Sequence, residues 1–119
     1  MKATIHKLEE GDVVYACWRG PITGEERHSF RDNIQKFCEE LGTKKFIVDL
    51  RYQENTTDIS DNYDFGKQLR RKMNGFTIAA LYQPTGISEE FLIETVSRGG
   101  VNIKVFNKID AAKKWILAQ

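Results

Sequence analysis

Hydrophobic positions along the chain switch repeatedly between a period of two and a period near four. From Met1 to Glu10 and from Asp12 to Arg19 the pattern is that of two strands joined at Glu9-Glu10-Gly11-Asp12. In the second, Val14, Ala16 and Trp18 fall on one side and Val13, Tyr15 and Cys17 on the other. Apolar residues on both sides predict a strand inside a sheet, and the short glycine-containing turn predicts an antiparallel hairpin. Gly20-Pro21-Ile22 breaks the strand. Thr23-Gly24-Glu25-Glu26 then has the form of a capping box, in which the hydroxyl takes a backbone amide and Glu26 reaches back. Phe30, Ile34, Phe37, Cys38 and Leu41 follow on one helical face, and Gly42 supplies a stop.

The pattern then repeats. Lys45 to Leu50 is a short strand, and a polar stretch from Arg51 to Asp61 is the longest irregular segment. Phe65, Leu69 and Met73 recur every four residues and predict a second helix from about Ser60 to Met73, closed by Asn74-Gly75. The run from Phe76 to Tyr82 is almost wholly apolar, as in a strand covered on both faces. Ser88 is a good N-cap for a third helix, with Ile87 placed to staple onto Leu92 and Gly99-Gly100 as its end. Val101, Ile103 and Val105 alternate with Asn102 and Lys104, which predicts an edge strand. Asn107 is the expected cap of a final helix carrying Ile109, Ala112, Trp115 and Ile116. The order is ββαβαβαβα: one α/β domain over residues 1–119, a small mixed sheet in which an antiparallel hairpin feeds parallel crossovers, with four helices.

Composition narrows the classes. The 119 residues are 40% hydrophobic and 29% charged, which is globular composition. Eighteen basic and 17 acidic side chains leave a net charge of +1, without the basic excess of a nucleic-acid-binding surface. No apolar run reaches the ~20 residues of a membrane span, and the N-terminal residues lack the apolar stretch of a secretory signal, so a cytoplasmic protein is expected. Two cysteines and two histidines in unrelated positions predict buried reduced thiols and neither metal nor cofactor.

Ligands of open α/β sheets gather where strands end and helices begin. Here those loops are Gly20–Thr23, Arg51–Ser60 and Gln83–Ser88, each leading into a helix whose free amides favour an anion; Thr23, Ser60 and Ser88 also serve as ordinary caps. Arg19 and Arg51 each end a strand, and neighbouring strands would let the two guanidiniums clamp an anion. Lys67, Arg70, Arg71 and Lys72 complement a helix C-terminus, or else form a docking patch for an acidic partner or an anionic membrane surface. GxGxxG, GxxxxGK[ST] and GxSxG are absent, and a Ser60–His28–Asp triad is disfavoured because neither histidine lies in those loops. The chain is therefore not expected to be an enzyme.

Val48-Asp49-Leu50-Arg51 closing its strand, the ending Gly100-Val101-Asn102-Ile103-Lys104-Val105-Phe106 followed by Ala111-Ala112-Lys113-Lys114-Trp115-Ile116, and the order of elements together resemble small stand-alone bacterial proteins of the STAS-like group, similar to anti-sigma-factor antagonists and linked in fold to CRAL-TRIO lipid-binding domains. The resemblance implies a STAS-like fold and a regulatory role. The best-understood relatives carry a phosphorylatable serine in an Asp-Ser-Ser-Gly turn at the start of the second helix; they bind a partner kinase when unphosphorylated. This chain has Thr57-Asp58-Ile59-Ser60-Asp61 there, without the glycine. A gapless count from Asp49 puts Asp58 at the serine position, where its carboxylate would imitate a permanent phosphoryl group; a short insertion puts Ser60 there. Thr57, Asp58 and Ser60 are thus the candidate switch and partner-binding residues. The expectation is a non-catalytic protein-interaction module with a protein partner. One alternative is a binding protein for a lipid or small anionic ligand, with a cavity lined by Trp18, Phe65 and Tyr82. A third is an enzyme with an unrecognised site. A homodimer follows if one apolar sheet face is left open; a terminal helix would cover it instead.

Overall fold

Thr23 sets the first helix as its sequence requires. Its Oγ1 accepts from the Glu26 amide at 3.1 Å, and Glu26 Oε1 accepts from the Thr23 amide at 3.0 Å. In this computed structural model, which describes residues 2–55, 59–82 and 100–119 (55 and 59–63 by backbone alone), helix α1 runs over Gly24–Leu41. Gly42 ends it at φ 72°, a left-handed conformation that glycine adopts without steric cost. Thr23→Ala should lower stability by about 0.5–2 kcal/mol, read as a shift in the urea midpoint; an unshifted midpoint would mean the cap is redundant.

The chain enters through strands β1 (Ala3–Lys7) and β2 (Val14–Trp18), paired antiparallel with His6 opposite Tyr15. After α1 come β4 (Lys45–Asp49), α2 (Ile59–Lys72), β6 (Thr77–Leu81), β7 (Asn102–Phe106) and α3 (Ile109–Leu117). The main sheet has the order β1-β2-β4-β6-β7, parallel from β2 onward, so β2 is internal and β7 an edge, as their patterns predict.

Two expectations need correction, and one falls outside the described residues. Gly20, at φ 92°, does turn the chain out of β2, but Gly20–Ile22 forms strand β3, which pairs in parallel with β5 (Gln53–Asn55) inside the stretch expected to be irregular. Strands of three residues are too short to show a period. The described residues carry three helices, and the helix expected from Ser88 to Gly99 lies outside them. The last helix is capped by Lys108 without a side-chain hydrogen bond, one residue beyond Asn107.

The strand period puts two apolar sets on opposite faces. Val14, Ala16, Trp18, Phe46 and Ile78 join Phe30, Ile34 and Cys38 of α1 and Met73, just past α2, in one core. Val13, Ile47, Ala79 and Leu81 meet Ala112 and Ile116 of α3 in the other. α1 and α2 therefore share one face, as successive right-handed crossovers demand, and the terminal helix occupies the face a second copy of the chain would otherwise cover. Both cysteines are buried and free, and burial pushes the Cys38 thiol up to about 12.

Candidate functional site

At the carboxyl end of the sheet, register brings three polar side chains onto one face. Cys17 lies opposite Asp49 and Tyr15 opposite Ile47, so Tyr15, Cys17 and Asp49 share the α3 side. Asp49 has no exposed surface. It is satisfied by four donors: the Tyr15 hydroxyl on Oδ2 at 2.6 Å, Arg51 Nε on Oδ1 at 2.9 Å, Arg51 Nη2 on Oδ2 at 2.8 Å, and the Arg51 amide on Oδ1 at 3.2 Å. Burial by itself would lift the Asp49 pKa, but the hydrogen bonds from Arg51 and Tyr15 outweigh it and hold the carboxyl below its usual range. Burial and the adjacent carboxylate push the Tyr15 phenol and the Cys17 thiol upward, so both stay protonated at neutral pH. The cluster is a buried anion tied to one guanidinium, with no thiolate to act as nucleophile.

Arg19 and Arg51 are brought together, as their places at the ends of neighbouring strands predict. The guanidinium of Arg19 lies 4.4 Å from the centre of the Tyr52 ring and that of Arg51 5.3 Å from it. The Nε–Nη2 edge of Arg51, the edge best shaped to grip an anion, is occupied by Asp49.

A second site forms where α1 meets α2. Arg27 and Arg31 are buried, at 6% and 3% exposure, on the same helical stripe as Phe30, Ile34 and Cys38. Phe65 of α2 packs among them: Arg27 lies 4.2 Å and Arg31 5.6 Å from its ring centre, and the His28 ring is 5.4 Å away. Arg31 Nε and Nη2 donate to Asp32 Oδ1, and Nη1 lies 2.8 Å from His28 Nδ1. Lys72 approaches the same Asp32 oxygen at 3.5 Å, so the basic end of α2 is partly neutralised by α1. Gly24, Arg27, His28, Asp64, Phe65 and Gln68 line a cleft of about 150 Å³ here.

Of the switch candidates, Thr57 and Asp58 lie outside the described residues. Ser60 is in the first turn of α2, one turn before Asp64. Trp18, Phe65 and Tyr82 occupy separate surroundings. Trp18 packs edge-on against Phe30 in the core and donates through Nε1 to the Pro21 carbonyl, Phe65 sits at the helix junction, and the Tyr82 amide bonds the Phe106 carbonyl. Reading the sequence by apolar period overlooks Arg27 and Arg31, although 27, 31, 34 and 38 continue one stripe of α1. It also overlooks the tie at Asp49, whose signal is a carboxylate in phase with Ile47 and an arginine two residues on.

Among the described residues no group of three His, Cys, Asp or Glu side chains lies close enough to hold a metal ion, and no helix is long and apolar enough to cross a membrane. No family model matches the chain, and no curated protein matches it. Among solved structures it is similar to an uncharacterised protein of the DUF3478 family with a SpoIIAA-like fold from Shewanella loihica PV-4, with a TM-score of 0.59 and 16% identity over 96% of this chain and 93% of that one. The likeness is one of fold: the chain has a SpoIIAA-like, and hence STAS-like, architecture.

Proposed function

We propose that the protein is a non-catalytic regulatory module that docks a protein partner in the cytoplasm through the start of α2, and that phosphorylation near that point, at Thr57 or Ser60, switches the docking. The observation that supports this most is the cationic face that α1 turns to α2, where Arg27 and Arg31 are buried against Phe65, in the helix's second turn. A phosphoryl group brings about 1.5 to 2 negative charges at neutral pH. Added at the start of the helix whose Phe65 packs on these guanidiniums, that charge would reorganise the surface a partner reads. The SpoIIAA-like fold supports the same reading, because the resemblance to anti-sigma-factor antagonists implies a switch at this helix.

The test is capture of a crosslinked partner from the native host by tagged wild type, Ser60→Ala and Ser60→Asp proteins, with circular dichroism to confirm folding. Equal yields of one defined partner are expected from wild type and Ser60→Ala, and on the order of tenfold less from Ser60→Asp. Equal yield from all three, or no partner at all, would overturn the proposal. Asp58→Ser should raise the yield if the carboxylate at 58 imitates a phosphoryl group.

A further inference from the structure

Arg19, Arg51 and Tyr52 meet in an exposed patch at the carboxyl end of β2 and β4. The two arginines differ in charge balance. Asp49 holds one edge of Arg51 and offsets its charge. The Arg19 guanidinium lies 4.4 Å from the centre of the Tyr52 ring, and no carboxylate among the described residues pairs with it. Lys2, also exposed, adds a further cation across from it: the Arg19 amide donates to the Lys2 carbonyl at 2.8 Å and carries the pairing of β1 with β2 one residue further.

The backbone beneath the patch is fixed. Leu50 to Gln53 closes a tight turn, the Gln53 amide donating to the Leu50 carbonyl at 3.3 Å. The Tyr52 carbonyl accepts from the Gly20 amide at 2.9 Å, which ties this turn to the residue after Arg19. A surface anchored in this way has little freedom left to lose when something binds it. Tyr52 nevertheless keeps 47% of its surface in water. A single exposed aromatic needs no explanation. A tyrosine held against two arginines has the composition of an interface hot spot, where both residue types are enriched.

Charge decides the kind of occupant. The exposed acid nearest in the chain is Glu54, in β5, and water screens it. An isolated anion on so open a surface gains little over water. A polypeptide segment gains more, because its carboxylates can take the Arg19 guanidinium in bidentate fashion while its apolar atoms pack on the Tyr52 ring. The net charge of the whole chain is only +1, too little for the broad basic field that holds nucleic acid.

We propose that the patch of Arg19, Tyr52 and Arg51 is a docking site for an acidic segment of a protein partner. It is independent of the switch at the start of α2, because it is read with a synthetic peptide and not with a captured partner. The probe is a fluorescein-labelled peptide of glutamates around one central phenylalanine, followed by anisotropy and by amide NMR shifts of the full chain at constant ionic strength. The same peptide with glutamine in place of glutamate is the neutral control. The amides of Arg19, Gly20 and Tyr52 should shift saturably with the acidic peptide and stay in place with the neutral one.

Arg19→Gln and Tyr52→Ala, both at exposed positions, should each weaken binding on the order of five- to tenfold. Arg71→Gln removes an equal charge in the last turn of α2 and should leave the affinity unchanged. Arg51 is kept in every variant, since the buried Asp49 depends on it. A loss in Arg71→Gln as large as that in Arg19→Gln would mean attraction to any surface cation and would overturn the proposal. So would shifts that rise without saturating, equal binding of the neutral peptide, or identical titrations of Arg19→Gln and wild type. Binding to phosphatidylserine vesicles that depends on Arg19, with none to the peptide, would overturn it in favour of a lipid contact.

Discussion

Arg51→Met should unfold at a distinctly lower urea concentration than wild type at neutral pH, by about 2–4 kcal/mol, and the gap should narrow as the solution is acidified. Removing the guanidinium leaves the Asp49 carboxylate, which has no exposed surface, with only the Tyr15 hydroxyl and one backbone amide. Breaking a buried pair in this way costs about 3–5 kcal/mol where both partners are buried. The Arg51 side chain is 31% exposed, so solvent already screens part of the attraction and the lower figure applies. The direction with pH follows from the Asp49 pKa, which is depressed in the folded wild type. A depressed carboxyl contributes its full stability above the unfolded value, near 3.9, and loses it as pH falls through the folded value. In Arg51→Met the burial that Arg51 offsets is left dominant and the carboxyl pKa rises, so the variant takes up a proton on folding and its deficit shrinks as pH drops through that raised value. Tyr15→Phe removes one hydrogen bond to the same charge and should cost about 1.5–3 kcal/mol. An Arg51→Met gap that does not change with pH would show that packing, not the ion pair, holds this corner.

The periodic parts of this fold are legible in its sequence for a simple reason. The capping box at Thr23 and the stop at Gly42 use chemistry local to a few residues, and the structure reproduces both. β2 and β6 present apolar residues on both sides because both faces of the sheet are covered, by α1 and α2 on one and by α3 on the other. β3 and β5 are not legible, since three residues carry no period and their pairing depends on Pro21 and Glu54 meeting across more than thirty residues of chain.

The site is harder to read, because its key groups break the binary pattern. A rule that assigns arginine to the surface misplaces Arg27 and Arg31, which α1 buries on its apolar stripe. The same rule misplaces Asp49, whose position in the strand faces the core and is tolerable only because Arg51 and Tyr15 reach it. Arg19 and Arg51 are legible as neighbours from their places at strand ends. That Asp49 already occupies the best edge of Arg51 is a fact of side-chain geometry, which no spacing rule supplies.

Ile116→Ala should be the most damaging single truncation on the α3 side, and its effect should take the form of detachment and self-association. Helix α3 has nine residues and no side-chain N-cap, so it lacks the length and the capping to be stable alone; packing holds it. Ile116 and Ala112 are its buried residues, and Ile116 is the larger, set with no exposed surface among Leu8, Val13, Ile47, Ala79 and Leu81. Cutting it to alanine removes about 2–5 kcal/mol of contact. Because α3 packs on the sheet face opposite α1 and α2, the domain can release it without unfolding the sheet, and the apparent loss is then capped by the free energy of docking this one helix. Release uncovers Ile47, Ala79 and Leu81, and an apolar sheet face of that kind associates with whatever covers it. Hydrogen exchange should therefore show faster exchange of the amides from 112 to 117 than in wild type, with β4 and β6 still protected. Sedimentation should show association rising with concentration beyond the wild type's own. Unchanged protection in α3, or loss of protection in α3 and the sheet together, would show that the helix and sheet form one cooperative unit and that the terminal helix does not gate a second interface.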